Sequence, residues 1–105
     1  MPTPQYESLA ELFKALAHPT RIWILQLLRS GEKCVCEIVP ELDMEQSNVS
    51  RHLAVLKKEG VLESRKEGLK AIYYIKDARI YELLDMGSDI LKSYWQDKLE
   101  SGGLK

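Results

Sequence analysis

A mainly α fold carrying a small β-hairpin is predicted by three features of this chain. Apolar residues recur at helical spacing through its first half, β-rich runs follow Gly60, and a long amphipathic stretch then restores the helical period to near the end. The 105 residues suit one domain, 1–105. Hydrophobic residues at 45% and charged residues at 30% suit a folded, soluble chain rather than a disordered one.

Tyr6, Leu9, Ala10, Leu12, Phe13, Leu16 and Ala17 predict a first helix over 6–17. His18-Pro19 interrupts it, and proline suits the first turn of a second helix because its missing N–H would have no helical partner there. That helix, Pro19 to Arg29, is expected to bury Ile22, Trp23, Leu25, Leu27 and Leu28 and to stop at Ser30-Gly31. His18 itself is read as an N-cap or packing residue. A short third helix is predicted from Cys34 to Leu42, with Pro40 weakening its second turn. Asp43-Met44 makes a tight connection to a fourth helix, Glu45 to Glu59, which ends at Gly60. Val61–Arg65 and Ala71–Ile75 read as two strands joined through Lys66–Lys70, a hairpin with a basic tip that includes Arg65. The last helix, 78–99, places Ile80, Leu83, Leu84, Gly87, Ile90, Leu91, Tyr94 and Trp95 on one side. Met1–Gln5 and Ser101–Lys105 are expected to fray.

Helix, short helix, turn, helix and hairpin in that order make a winged helix-turn-helix domain, with the helix-turn-helix over 34–59 and the wing over 61–75. The flanking helices, 6–17 and 78–99, exceed what the minimal domain needs. A chain this small would struggle to cover their apolar faces, so they are expected to pack against a second copy; completing the monomer's own core is the alternative. A two-fold dimer also matches what a palindromic DNA site requires.

The formal net charge is −1, but its distribution matters more. Glu45 to Lys70 holds six basic residues against four acidic ones, whereas Asp77 to Glu100 holds three basic against six acidic. The start of the fourth helix offers Gln46, Ser47, Asn48, Ser50 and Arg51, while Val49, Leu53 and Leu56 recur on the opposite face. Gln and Asn pair bidentately with adenine, Arg with guanine, and Ser with base or phosphate, so this helix is read as one that enters the major groove of double-stranded DNA. His52 contacts phosphate or packs between helices. Arg65, Lys66 and Lys70 would track phosphate or reach the minor groove, although a charged turn also protects an exposed sheet edge.

Cys34 and Cys36 are the only thiols. They are too close in sequence to close a useful loop, and Met1-Pro-Thr-Pro is not the basic start of a secretion signal, so a reducing, cytoplasmic location is expected. No apolar stretch is long enough to span a membrane. Soft thiolates take As(III), Sb(III), Cd(II), Pb(II), Hg(II) or Zn(II), and chemistry alone selects none of them. Residues two apart on an α-helix point about 200° away from each other. A helix running through both cysteines would therefore have to unwind or tilt before both sulfurs met one ion, and the strain would reach the fourth helix through Asp43-Met44. The same divergence predicts that a Cys34–Cys36 disulfide needs local unwinding or a second subunit. Lys33 and the helix N-terminus should favour the thiolates, which opens oxidation as a second switch. An inert structural pair is the third possibility.

Over Leu9 to Leu99 the chain resembles the ArsR family of small repressors. The resemblance is carried by Ala15-Leu-Ala-His-Pro-Thr-Arg21, Cys34-Val-Cys-Glu-Ile38, Gln46 through Leu62 and the hairpin ending in Tyr73-Tyr74. It implies a homodimer bound to inverted-repeat operator DNA near its own promoter and released by an inducer. It further implies that Cys34 and Cys36 are the inducer ligands, with As(III) or Sb(III) first, other thiophilic metals next, and no resident cofactor required. A third cysteine common in the arsenic-responsive pattern is replaced by Val39, leaving the third position to a small-molecule thiol, water or nothing. The reading helix opens on Glu45, where a small hydroxyl residue is usual; a carboxylate suits the helix dipole but repels phosphate. The last helix has no histidine for a zinc site, and the N-terminal arm has no cysteine for a cadmium or lead site. No nucleophile–base pair, phosphate-binding glycine loop or carboxylate pair points to an enzyme.

Overall fold

The computed structural model describes residues 3–100. Its elements are α1 (Pro4–Leu16), α2 (Pro19–Leu27) with a 3-10 turn Leu28–Ser30, β1 (Lys33–Cys34), α3 (Val35–Leu42), α4 (Gln46–Lys58), β2 (Leu62–Glu67), β3 (Lys70–Ile75) and α5 (Arg79–Glu100). The fold is the winged helix-turn-helix that the order of elements predicts, with a third strand in the wing. The expected fraying at Met1-Pro2 and Ser101–Lys105 falls outside the described residues. Thr3 to Gln5 are ordered by a cap, because Thr3 Oγ1 accepts from the Tyr6 N–H at 3.2 Å and starts α1 two residues early.

His18 caps α2 through Nδ1, which accepts from Thr20 N–H at 3.1 Å, and Pro19 takes the first helical position. α2 buries Ile24, Leu25 and Leu28; Ile22 and Trp23, expected inside, are exposed. Ile22 instead lines an open groove with Phe13 and Leu16 of α1 and Leu83 and Leu91 of α5. The short α3 buries Ile38 and Leu42 despite Pro40, and Asp43 turns the chain with a left-handed φ of 51°. That conformation is tolerated by Asp because its short polar side chain stabilises tight turns.

Val49, Leu53 and Leu56 of α4 are fully buried against Ile24, Leu25, Ile38 and Leu62. Each such side chain contributes about 1.5–3 kcal/mol by leaving water, so the opposite face of α4 is presented firmly to solvent. β2 and β3 pair antiparallel from Leu62 with Ile75 to Glu67 with Lys70, around a two-residue turn at Gly68-Leu69. Gly68 has a φ of 62°, which the tight turn requires and glycine adopts without strain. The strands are longer than expected, and β1 adds to the free edge of β3 in the order β1-β3-β2.

α5 is fastened at its start. Tyr81 Oη donates to the Leu25 carbonyl at 2.6 Å, Arg29 lies 4.7 Å over the Tyr81 ring, and Arg29 pairs with Asp85. Burial pushes the Tyr81 hydroxyl up. Beyond that anchor, Leu83, Met86, Ile90, Leu91, Tyr94 and Trp95 remain exposed, as do Tyr6, Leu9 and Phe13 of α1. Among the described residues no helix is long and apolar enough to cross a membrane.

Candidate nucleic-acid interface and thiol site

Gln46, Ser47, Ser50 and Arg51 are exposed on the first turns of α4, and Asn48 is half-buried beside them. Glu45 caps the helix through its extended backbone without a side-chain bond. His52 is turned inward, 4.4 Å from the His18 ring and 3.2 Å from Arg21 Nη1 through Nδ1. Arg21 is itself held by the carbonyls of Ala15 and Lys14 at 2.6 and 3.2 Å. This cluster joins α1, α2 and α4. Burial lowers the His52 imidazole's affinity for a proton, and the charges of His18, Arg21 and Arg51 lower it further.

The wing departs from the expected picture at Arg65. It lies mid-strand opposite Ile72 rather than at the tip. Its guanidinium pairs with Glu32 and with Glu67 at 2.6 Å, so the two carboxylates hold its charge and push its proton affinity up. Lys66 and Lys70 stay exposed near the turn, and Leu69 at the tip is fully exposed. Lys57 Nζ donates to Ser64 Oγ at 2.7 Å, tying the wing to the end of α4.

The thiols also depart from expectation. Cys34 belongs to β1, paired with Ile72 of β3, and its extended backbone makes it the N-cap of α3. Only Cys36 is helical, so the two side chains need not diverge, and the predicted unwinding is unnecessary. Their sulfurs are joined in a disulfide with the Cα atoms 5.0 Å apart, contrary to the reduced pair expected from their spacing. Cys34 Sγ accepts from Cys36 N–H at 3.0 Å, and the Glu37 carboxylate accepts from Cys34 N–H at 2.8 Å. This is a capping box with sulfur in place of the usual hydroxyl.

A cleft of about 540 Å³ opens beside the pair. Cys34 and Cys36 line one side, Gln46 and Ser50 of α4 another, and Lys70 and Tyr73 of β3 a third. The first helix turns of α4, the wing and the sulfurs thus share one space. Sheet register strengthens the link, since Cys34, Ile72 and Arg65 form one row across three strands. The sequence offered no signal for Glu32 as the partner of Arg65, because they lie 33 residues apart and meet only once β1 joins the wing. Among the described residues, no group of three or more His, Cys, Asp or Glu side chains is placed to hold a metal ion. Reduced to thiols, the two sulfurs would suit a thiophile of low coordination number and are too few for a four-ligand structural zinc.

The family model described as bacterial regulatory protein, arsR family, matches residues 18–64, from the cap of α2 into the wing. An HTH-type transcriptional regulator of Methanocaldococcus jannaschii is 45% identical over 87 residues, covering 82% of this chain and 98% of that one. The arsenical resistance operon repressor of Escherichia coli is 48% identical over 65 residues, 61% of this chain and 55% of the repressor. The crystal structure of Rv0081 from M. tuberculosis superposes with a TM-score of 0.84 at 38% identity, covering 93% of this chain and 99% of that one. A homodimeric winged helix-turn-helix DNA-binding domain from Mycobacterium bovis superposes at 0.77 with 30% identity, covering 87% and 84%. This chain belongs to the ArsR family of bacterial regulatory proteins, which are DNA-binding transcriptional regulators and not enzymes.

Proposed function

We propose that the chain is a homodimeric repressor that leaves its operator when As(III) or Sb(III) binds Cys34 and Cys36. Gln46, Ser47, Asn48, Ser50 and Arg51 read base edges in the major groove, and Lys66 and Lys70 lie along phosphate at an inverted repeat. The exposed apolar faces of α1 and α5 support a dimer, as does the homodimeric neighbour. In the reduced pair, arsenous acid condenses with two thiols and releases two waters, forming two As–S bonds. A small-molecule thiol can supply a third sulfur where Val39 supplies none.

The observation that carries this reading is the single cleft shared by the thiol pair, the start of α4 and the wing. A ligand held on both sulfurs occupies space between the two elements that must dock together on DNA. Arsenite titrated into the reduced protein bound to DNA from its own promoter should release the DNA. Cys34→Ser and Cys36→Ser should each abolish that release; release that survives in both rules the reading out.

A second reading is favoured by the disulfide, namely a redox-sensing repressor of the same fold. Under it, oxidation alone releases DNA and arsenite leaves the reduced complex intact.

A further inference from the structure

We propose that Cys36 is a modification site at which an anionic low-molecular-weight thiol forms a mixed disulfide, seated in the cleft beside α3. The proposal rests on reading the chain as a thiol-switched DNA binder and names a further regulator of the same site.

The two bonded sulfurs are unequal in access. Cys34 is 4% exposed, within the core, whereas Cys36 faces solvent. A thiolate arriving through the cleft therefore meets the Cys36 sulfur. Attack there forms a bond between the incoming sulfur and Cys36 Sγ and breaks the Cys34–Cys36 bond. The electron pair passes to Cys34 Sγ, and the incoming thiol's proton ends on that sulfur or in water. Thiol and disulfide exchange roles, so no further oxidant is needed. The leaving sulfur already accepts the Cys36 N–H at the head of α3, where negative charge is favoured.

The cleft fits such a guest. Its volume of about 540 Å³ lies in the range of small-molecule sites. Val39 and Pro40 line it where a third chain thiol would otherwise compete, leaving Cys34 as the group that resolves the adduct. Lys70 is the charged side chain among the lining residues, which selects a thiol bearing carboxylates. An adduct there would lie against Gln46 and Ser50 and carry negative charge to the face that meets phosphate.

The test uses oxidised glutathione and the full chain. Cys34→Ser keeps the helix cap, because a serine oxygen accepts the same bond. That variant should take one glutathione per chain, mapped to Cys36 by mass spectrometry, while Cys36→Ser should react at least about tenfold more slowly through its buried thiol. Lys70→Glu in the Cys34→Ser background should slow the glutathione reaction at least about fivefold, the loss of one close charge contact in water before the new repulsion is added, and leave the neutral bis(2-hydroxyethyl) disulfide unaffected. Equal rates for the two serine variants overturn the proposal, as does a Lys70→Glu effect that is absent or equal for both disulfides. Wild-type disulfide treated with reduced glutathione and quenched in acid gives an independent reading: an adduct on Cys36 supports the site, and one on Cys34 overturns it. DNA binding by the reduced, unmodified chain is measured in parallel. Its absence alongside an adduct at Cys36 would refute the repressor reading and leave the modification site standing.

Discussion

Replacing Lys66 by Gln removes one wing cation from each half of the proposed dimer, and the structure says this should matter more than removing Arg65. Arg65 already lies between the carboxylates of Glu32 and Glu67, whereas Lys66 is exposed beside the turn. Each phosphate contact contributes about 0.9 to the slope of log affinity against log salt, so two lost contacts lower its magnitude by about 1.8. Between about 50 and 200 mM salt, the mutant complex should therefore lose about tenfold less affinity than the wild type does. Arg65→Gln should weaken binding by exposing two carboxylates near the duplex yet leave the slope unchanged. Fluorescence anisotropy on a labelled operator at several salt concentrations measures both. A slope that falls with Arg65→Gln and not with Lys66→Gln would refute the assignment of the wing charges.

Leu53→Ala, at a fully buried position on α4, should cost about 2–5 kcal/mol in urea unfolding at fixed protein concentration; a loss below about 1 kcal/mol would contradict the packing described. The His52 imidazole holds its proton less tightly folded than unfolded, where its ordinary value is 6.5. The unfolded chain therefore binds more protons, and the stability present above 6.5 is lost as pH falls through the folded value. His52→Gln should flatten that part of the stability–pH curve, and an unchanged curve would dismiss the cluster as its source. Leu91→Glu places a carboxylate on the exposed apolar face of α5, and sedimentation should then report monomers with weakened DNA binding. A stable dimer would move the interface elsewhere.

Much of this architecture was legible from periodicity. Val49, Leu53 and Leu56 recur at helical spacing, and that spacing alone turns Gln46, Ser50 and Arg51 outward. The glycines and the His18-Pro19 step marked element ends because their effects on φ and on capping are local. Ile22 and Trp23 were misplaced because hydrophobicity does not distinguish a core face from one left open on a small domain. β1 was invisible: a two-residue strand has no period, and only its pairing with Ile72 and Tyr73 defines it. That omission displaced the thiol chemistry, since Cys34 in a strand and Cys36 in a helix meet without the unwinding that a continuous helix would demand. The retention of Arg65 by Glu32 was hidden for the same reason.

DNA affinity measured on one preparation in its dithiol, disulfide and arsenite-loaded states addresses the central claim directly, that the chemical state of Cys34 and Cys36 governs operator binding. Tight binding by the dithiol and clear weakening by arsenite is the expected result. Equal affinity in all three states would contradict it.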